Sequence, residues 1–343
     1  MDEFHIRGSP AELGRSFAAE VSDADRSLAD VAPETLDPSP AVRRFVRNCE
    51  PHVREHAPGV LAELDAIAEE AGAEREAVRA VALAADADPG CSLVGVPGEF
   101  TESGSALFAR NHDFYPSFRR YSKLYRAEPA DGLASVGCAH GFVGRLDGVN
   151  EAGLAVGFAG VPTDGYESGV MWPLAVRTVL NACETVSEAV DYLESVPHAR
   201  NVNVLVGDAD GDVAVVEASP EAVEDRRPTH GDRLVVATNQ FDSATMRTHQ
   251  SVDRAPTDCS RHCAVEAWVD DYEGAVGPDD LRRLVGDPER GVAWDLDEAG
   301  DDPRSTIWSW VIDAGADNAS LSRDSPAEVS YEPVAVPGRE AGH

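Results

Sequence analysis

Lysine is almost absent: Lys123 is the single lysine among 343 residues, and arginine fills the other Lys/Arg positions. Basic residues number 29 against 62 acidic ones, a formal net charge of −33. A chain so short of positive charge has no basic face, which excludes a nucleic-acid footprint and an anionic membrane surface. No apolar run approaches the roughly 20 residues of a spanning helix. Met1-Asp2-Glu3-Phe4 has neither the basic start nor the apolar stretch of a signal peptide. The six cysteines, Cys49, Cys91, Cys138, Cys183, Cys259 and Cys263, are too scattered for a disulfide scaffold. A reducing cytoplasm is the expected compartment. No internal repeat and no long linker divides the chain, so 1–343 is expected to be one domain.

What is present is a core and an excess of acid. Hydrophobic residues make up 43% of the chain, enough to exclude wholesale disorder. A charge of −33 repels itself at low ionic strength. At about 1 M salt the Debye length falls to roughly 3 Å and the repulsion is screened. The acid-rich, lysine-poor composition resembles that of proteins from salt-in halophiles.

The first ninety residues read as mostly helical. Pro10 opens one helix. Leu61, Leu64, Ile67 and Ala68 repeat at helical spacing, with Gly72 as a stop. A helix is expected from Arg75 to Ala85, broken by 86–90. After Cys91 the texture turns to short β-rich runs between Gly and Asp turns: ALFARNHDF, ASVGCAHGFVGRLDGV, GLAVGFAG, NVNVLVG, DVAVVEA, RLVVATN and TIWSWVID. Helices interrupt them at Met171–Ala182 and after Thr185. Thr185 with Glu188 forms a capping-box pattern, and Val186, Ala189, Val190 and Leu193 share a face. Further helical stretches are expected near Arg261–Val269 and Pro278–Leu284. Hairpins around a helical pair give an α+β layered fold.

Several clusters invite chemistry. Asp208-Ala209-Asp210-Gly211-Asp212 lacks the calcium-loop spacing and reads as a hairpin turn. Cys259 and Cys263 share a helical face without a second Cys/His pair, which favours packing over metal. His112, His140, His249 and His262 are candidates for a papain-like pairing with Cys91, but that family's local signature is missing. Cys91 stands out through its setting. It follows Gly90 at the junction of the helical and β-rich segments, and Arg110-Asn111-His112-Asp113 begins 19 residues later. On a strand, Arg110 and His112 share one face and Asn111 and Asp113 the other. A turn or bulge there would aim Arg110 and Asp113 at one point. Arginine favours a thiolate; aspartate holds an ammonium.

Further pieces follow in order: Gly148-Val149-Asn150-Glu151-Ala152-Gly153-Leu154, Thr238-Asn239-Gln240-Phe241, Ser260-Arg261, and Thr306-Ile307-Trp308-Ser309. With the N-terminal FHIRGSPAELG, this ordered set resembles the cysteine N-terminal-nucleophile (Ntn) hydrolases of the isopenicillin-N acyltransferase (acyl-coenzyme A:6-aminopenicillanic acid acyltransferase) type. More distantly it is similar to the choloylglycine hydrolases and penicillin V acylases. The resemblance runs from about residue 4 to about 315.

The resemblance implies a four-layer αββα sandwich. It also implies self-cleavage at Gly90-Cys91, giving a mostly helical 1–90 chain and a 91–343 chain that remain associated. Cys91 would then be an N-terminal nucleophile whose own α-amine, with an unperturbed pKa of about 7.7–8.0, serves as base. Arg110 would sit against the sulfur and Asp113 would hold the amine. Asn239 and a backbone N–H near Gly160 would form the oxyanion hole, with Arg261 supporting the charge around them. Asn150 is expected to shape a turn. Gln240 stands where the acyltransferase type often has His, and Cys91-Ser92-Leu93 matches the usual context loosely; both bear on the substrate.

The implied activity is hydrolysis of linear amide C–N bonds in a small N-acyl or peptide-like substrate, with no metal or cofactor. The alternatives are acyl transfer between acyl-coenzyme A and an amine, and a non-catalytic relative that binds an acyl ligand.

Overall fold

A computed structural model describes residues 1–32, 36–84, 90–229, 231–252, 255–294 and 304–339. The expected helix break at 86–89, and the Ala85 end of the helix before it, lie outside these residues.

Five helices dominate the N-terminal part after strand β1 (Asp2–Gly8): α1 (Pro10–Asp23), α2 (Leu28–Val31), α3 (Pro40–His56), α4 (Val60–Glu70) and α5 (Arg75–Leu83). Ser9 and Glu12 cap α1 reciprocally: the Ser9 N–H donates to Glu12 Oε2 at 2.8 Å. Beyond α4 the chain turns at Gly72, where φ is +63°; glycine takes this left-handed conformation without a Cβ penalty.

Strands β2 (Gly90–Val96), β3 (Leu107–Phe114), β4 (Lys123–Pro129), β5 (Ser135–Ala139), β6 (Asp147–Asn150) and β7 (Ala155–Gly160) follow. Helices α6 (Trp172–Ala182) and α7 (Val186–Ser195) come next, then β8 (Val202–Gly207), β9 (Val213–Ala218), β10 (Val223–Arg226) and β11 (Val235–Ala237). Helices α8 (Ser260–Asp270) and α9 (Pro278–Val285) precede β12 (Ser305–Asp313), β13 (Asn318–Ser322) and β14 (Glu332–Ala335). Each of the seven β-rich runs contains at least one strand. Val186, Ala189, Val190 and Leu193 of α7 are buried together, as their spacing requires, and Thr185 Oγ1 accepts from the Glu188 N–H at 3.3 Å.

The strands form two sheets. One has eight strands in the order β1-β4-β5-β6-β7-β8-β9-β10; the other has six, β11-β2-β3-β12-β13-β14. Ladders are antiparallel except β1 with β4. The sheets face each other, with β2 against β7 and β8. Helices α6 and α7 lie on the outer face of the eight-stranded sheet, and α8 and α9 on that of the six-stranded sheet. The result is the expected αββα layering. The N-terminal helices join the first outer layer: α1 packs on β1 and α4 on α1. Among the described residues no helix is long and apolar enough to cross a membrane.

Burial explains why β2 is weakly marked in the sequence. All its residues are buried, because one face meets the other sheet and the other meets helices. A doubly covered strand loses the alternation that identifies a half-exposed one.

Candidate active site

Cys91 is the second residue of β2, paired with His112 of β3 in antiparallel register, while Gly90 pairs with Asp113. It is fully buried. The Arg110 guanidinium donates to its sulfur at 3.3 Å. Burial pushes the thiol pKa up, and the positive charge of Arg110 acts against that rise.

Arg110 is held from three sides. Its Nε donates to the Phe158 carbonyl at 3.1 Å, it bonds Asp147 through Nη1, and its guanidinium lies over the Phe158 ring. Asp147 is the buried counter-charge that sequence reasoning missed. Its carboxylate also accepts from Trp308 Nε1 at 2.7 Å, from Trp310 Nε1 at 2.9 Å and from the Cys138 N–H at 3.1 Å. The signal was available: Trp308 and Trp310 are two residues apart on one strand, and buried indole N–H groups need an acceptor.

Strand alternation in β3 survives intact, so the expected bulge aiming Arg110 and Asp113 at one point is absent. The register irregularity lies in β12 instead, between Thr306 and Trp308. Arg110 and His112 reach the sulfur. Asp113 on the other face bonds Arg261 of α8 at 2.9 Å and accepts from Thr306 Oγ1 at 2.6 Å. Burial raises the Asp113 pKa, opposed by Arg261 and the Thr306 bond. The TIWS segment thus serves the RNHD segment residue by residue: Thr306 holds Asp113, and Ser309 donates to Asn111 at 2.6 Å.

Asn239 follows β11 and closes the arrangement. Its Oδ1 accepts from the Cys91 N–H at 2.9 Å and from Arg261 Nη2 at 2.9 Å. Its Nδ2 donates to the Gly160 carbonyl at 2.8 Å. Gly160 lies where β7 runs beyond the β6 pairing, so this edge is open to the site. The N–H and C=O of a strand residue point to the same edge, so the Gly160 N–H faces the site as well. Cys91, Arg110, Asp113, Asn239, Arg261 and Gly160 are therefore brought together.

Other motifs are structural. Asn150 ties its loop through its side chain to Leu180 O, Cys183 O and the Leu154 N–H. Asp208–Asp212 is a hairpin turn, with Asp208 Oδ1 accepting from the Asp210 and Asp212 N–H groups. Cys259 and Cys263 are half-buried rather than buried. Gln240 donates to Thr238 Oγ1 at 2.6 Å. His249 pairs with Glu221 and His262 with Glu266, whereas His112 Nδ1 stands 3.7 Å from the Cys91 sulfur.

No curated protein sequence matches the chain. Among solved structures, a single-site mutant of the conjugated bile acid hydrolase from Clostridium perfringens is similar at 14% identity and a TM-score of 0.50, over 73% of this chain and 99% of that one. An ortholog of N-acylethanolamine-hydrolyzing acid amidase from Caenorhabditis elegans aligns at 14% identity over 72% of this chain and 100% of its own, with a TM-score of 0.49. The likeness to the bile acid hydrolase establishes a shared fold. A family model, that of acyl-coenzyme A:6-aminopenicillanic acid acyl-transferase, matches residues 100–328. That match takes in Arg110, Asp113, Asn239 and Arg261, and covers about two thirds of the sequence. The chain therefore belongs to the acyl-coenzyme A:6-aminopenicillanic acid acyl-transferase family, of the Ntn type.

Proposed function

We propose that this protein hydrolyses a linear amide C–N bond through Cys91, after its own Gly90–Cys91 peptide bond has been cut. The carrying observation is the contact set of Cys91: Arg110 on its sulfur and Asn239 on its nitrogen, in a chain of this family. Cleavage turns that nitrogen from an amide into an amine, the only form that takes a proton. The freed α-amine then accepts the thiol proton, and Arg110 stabilises the thiolate. The sulfur attacks the substrate carbonyl. Asn239 and the Gly160 N–H donate to the oxyanion, and one such donor contributes about 2.7–4 kcal/mol to the transition state. The amine leaves and water releases the acid from the thioester. An amine in place of water, or acyl-coenzyme A as acyl donor, makes the same cycle an acyl transfer, the reading that the family's name supports.

The two pieces are expected to stay together. Residues 2–8 pair with residues 123–129 across the cut. Glu63 and Arg177 form a buried pair at 2.5 Å, and Lys123 donates to the Val31 carbonyl at 2.7 Å. All six cysteines are free thiols, which suits the cytoplasm.

The test is a denaturing intact-mass spectrum of wild type and Cys91→Ala, both matured in high salt. Two co-eluting fragments meeting at Gly90/Cys91 in wild type, with one uncut chain in the variant, support the reading. A folded wild type that stays whole overturns it. Labelling of Cys91 by a mild thiol electrophile, lost in Arg110→Ala, separates an enzyme from a binding relative.

A further inference from the structure

Before cleavage the sulfur needs a base, and the α-amine does not yet exist. The Cys91 nitrogen is an amide whose N–H is given to Asn239. Arg110 is a cation with no lone pair to offer. Among the described residues, the lone pair that meets the sulfur belongs to His112 Nδ1, at 3.7 Å.

The protonation pattern follows from the donors around it. Arg110 Nη2 lies 3.1 Å from His112 Nδ1 and can only donate, so this nitrogen is unprotonated. The ring proton is then on Nε2, which lies 2.9 Å from His140 Nε2. His140 Nε2 must accept, so His140 carries its own proton on Nδ1. That atom is buried without a hydrogen-bond partner among the described residues.

The rings of Phe114, Phe118 and Trp308 surround the pair. The charged groups facing it are Arg110 with its partner Asp147, and Lys123, which donates to the His140 carbonyl at 2.5 Å. Burial and these cations push both histidines well below the ordinary imidazole range.

We propose that His112 is the general base of the self-cleavage step and that His140 holds its ring in the tautomer that leaves Nδ1 unprotonated. The inference rests on the self-cleavage reading above. The thiol proton moves to His112 Nδ1 as the Arg110 N–H turns from that nitrogen to the sulfur, which it already meets at 3.3 Å. The sulfur attacks the Gly90 carbonyl and the C–S bond forms. The Gly90–Cys91 C–N bond breaks, and the departing nitrogen takes up the proton that His112 holds. Water then hydrolyses the thioester, leaving a Gly90 carboxylate and the free thiol. The neutral imidazole of His112 spares the sulfur the need for bulk hydroxide.

The experiment refolds denatured, uncut chain into high salt and follows cutting by intact mass from pH 6.5 to 8.5, for wild type, Cys91→Ala, His112→Gln and His140→Gln. A general base that is already neutral gives wild type a flat rate across this range. Unassisted thiolate attack by a thiol of raised pKa gives a rate rising about tenfold per pH unit, which overturns the proposal without any variant. His112→Gln is expected to cut about 10²- to 10⁴-fold more slowly than wild type, the usual contribution of a general base, and to acquire the steep pH dependence. A folded His112→Gln that cuts at the wild-type rate also overturns it. If wild type itself never cuts, the self-cleavage reading fails instead, and the two failures are thereby distinguished.

Discussion

The backbone N–H of Cys91 donates to Asn239 Oδ1 across 148 residues of sequence, and the same oxygen accepts from Arg261. One side chain thus holds the Cys91 nitrogen by its oxygen and faces the Gly160 edge by its nitrogen. Asn239→Asp separates the two duties, since a carboxylate keeps the acceptor and loses the donor. Amide turnover is expected to fall about 10²- to 10³-fold, the usual loss for one oxyanion donor, with the KM changed little. A KM effect with intact kcat would place Asn239 in ground-state binding.

Asp147 is the counter-charge of Arg110 and the acceptor for two indoles, and is fully buried. Asp147→Asn leaves a buried guanidinium without its anion, and breaking such a pair costs about 3–5 kcal/mol. Denaturant unfolding in high salt measures this. The variant carries a second, opposite signature. The Asp147 charge raises the Cys91 thiol pKa, so its removal should move the thiol downward. Alkylation of Cys91 should then persist to lower pH than in wild type, even as the protein loses stability.

The outline of the fold was legible where a period survives. Helix α7 announced itself through Thr185, Glu188 and a four-residue apolar face. The strand pair β8–β9 did so through its Gly and Asp turn, whereas β5 and β6 read as one run. Strand β2 did not, because it is covered on both faces and reads as a plain apolar run. Of the site, Cys91, Arg110, Asp113, Asn239 and Arg261 were found through motif order, and the structure brings them together. Asp147 was not found, and His112, one of four histidines weighed as a partner for Cys91, was set aside. Asp147 sits in the sequence as one more turn acid, and only the sheet-to-sheet contact joins it to Arg110. His112 gained significance from the register that sets it opposite Cys91, which no local pattern encodes.

Gly90 has a steric reason to be glycine. A Cβ there would stand 3.0 Å from the Trp294 ring and 3.2 Å from Asp113 Cβ, closer than such contacts normally allow. Gly90→Ala is expected to fold and, on the proposed self-cleavage, to cut several-fold more slowly, because the Gly90 carbonyl must shift to relieve the crowding. Intact-mass time courses decide this; an unchanged rate would mean that Trp294 yields freely.

Three buried histidines make the fold sensitive to mild acid. His112, His140 and His198 are all held below the ordinary imidazole range, first by burial. The unfolded chain binds protons at about pH 6.5 and the folded chain does not, so stability is lost as pH falls below 6.5. Each group contributes a slope of up to about 1.4 kcal/mol per pH unit until its folded pKa is reached. His198 lies away from Cys91, with Nε2 at 2.8 Å from the Leu193 carbonyl. His198→Gln keeps a donor and removes the titration, so the acid slope between pH 6.5 and 5.5 should become shallower. Denaturant midpoints at several pH values, in constant high salt, measure it.

The charge of −33 sets the last expectation, and the ion pairs show where it acts. The pairs Arg110–Asp147 and Arg177–Glu63 are buried and largely insensitive to salt. Exposed pairs such as Arg283–Asp280 and Arg227–Asp225 contribute little at any ionic strength. What salt changes is the repulsion among the unpaired surface carboxylates, which is long-range and unscreened when the Debye length is long. Desalting from molar to about 0.01 M extends that length from about 3 Å to about 30 Å. The melting temperature should therefore fall steadily on desalting. It should recover with sodium chloride at an ionic strength where an equal osmolarity of sucrose does little, since sucrose acts by exclusion and screens nothing. A melting temperature that ignores desalting would refute the halophilic reading of the composition. Rescue by sucrose as effective as by salt would assign the effect to solvent exclusion instead of charge.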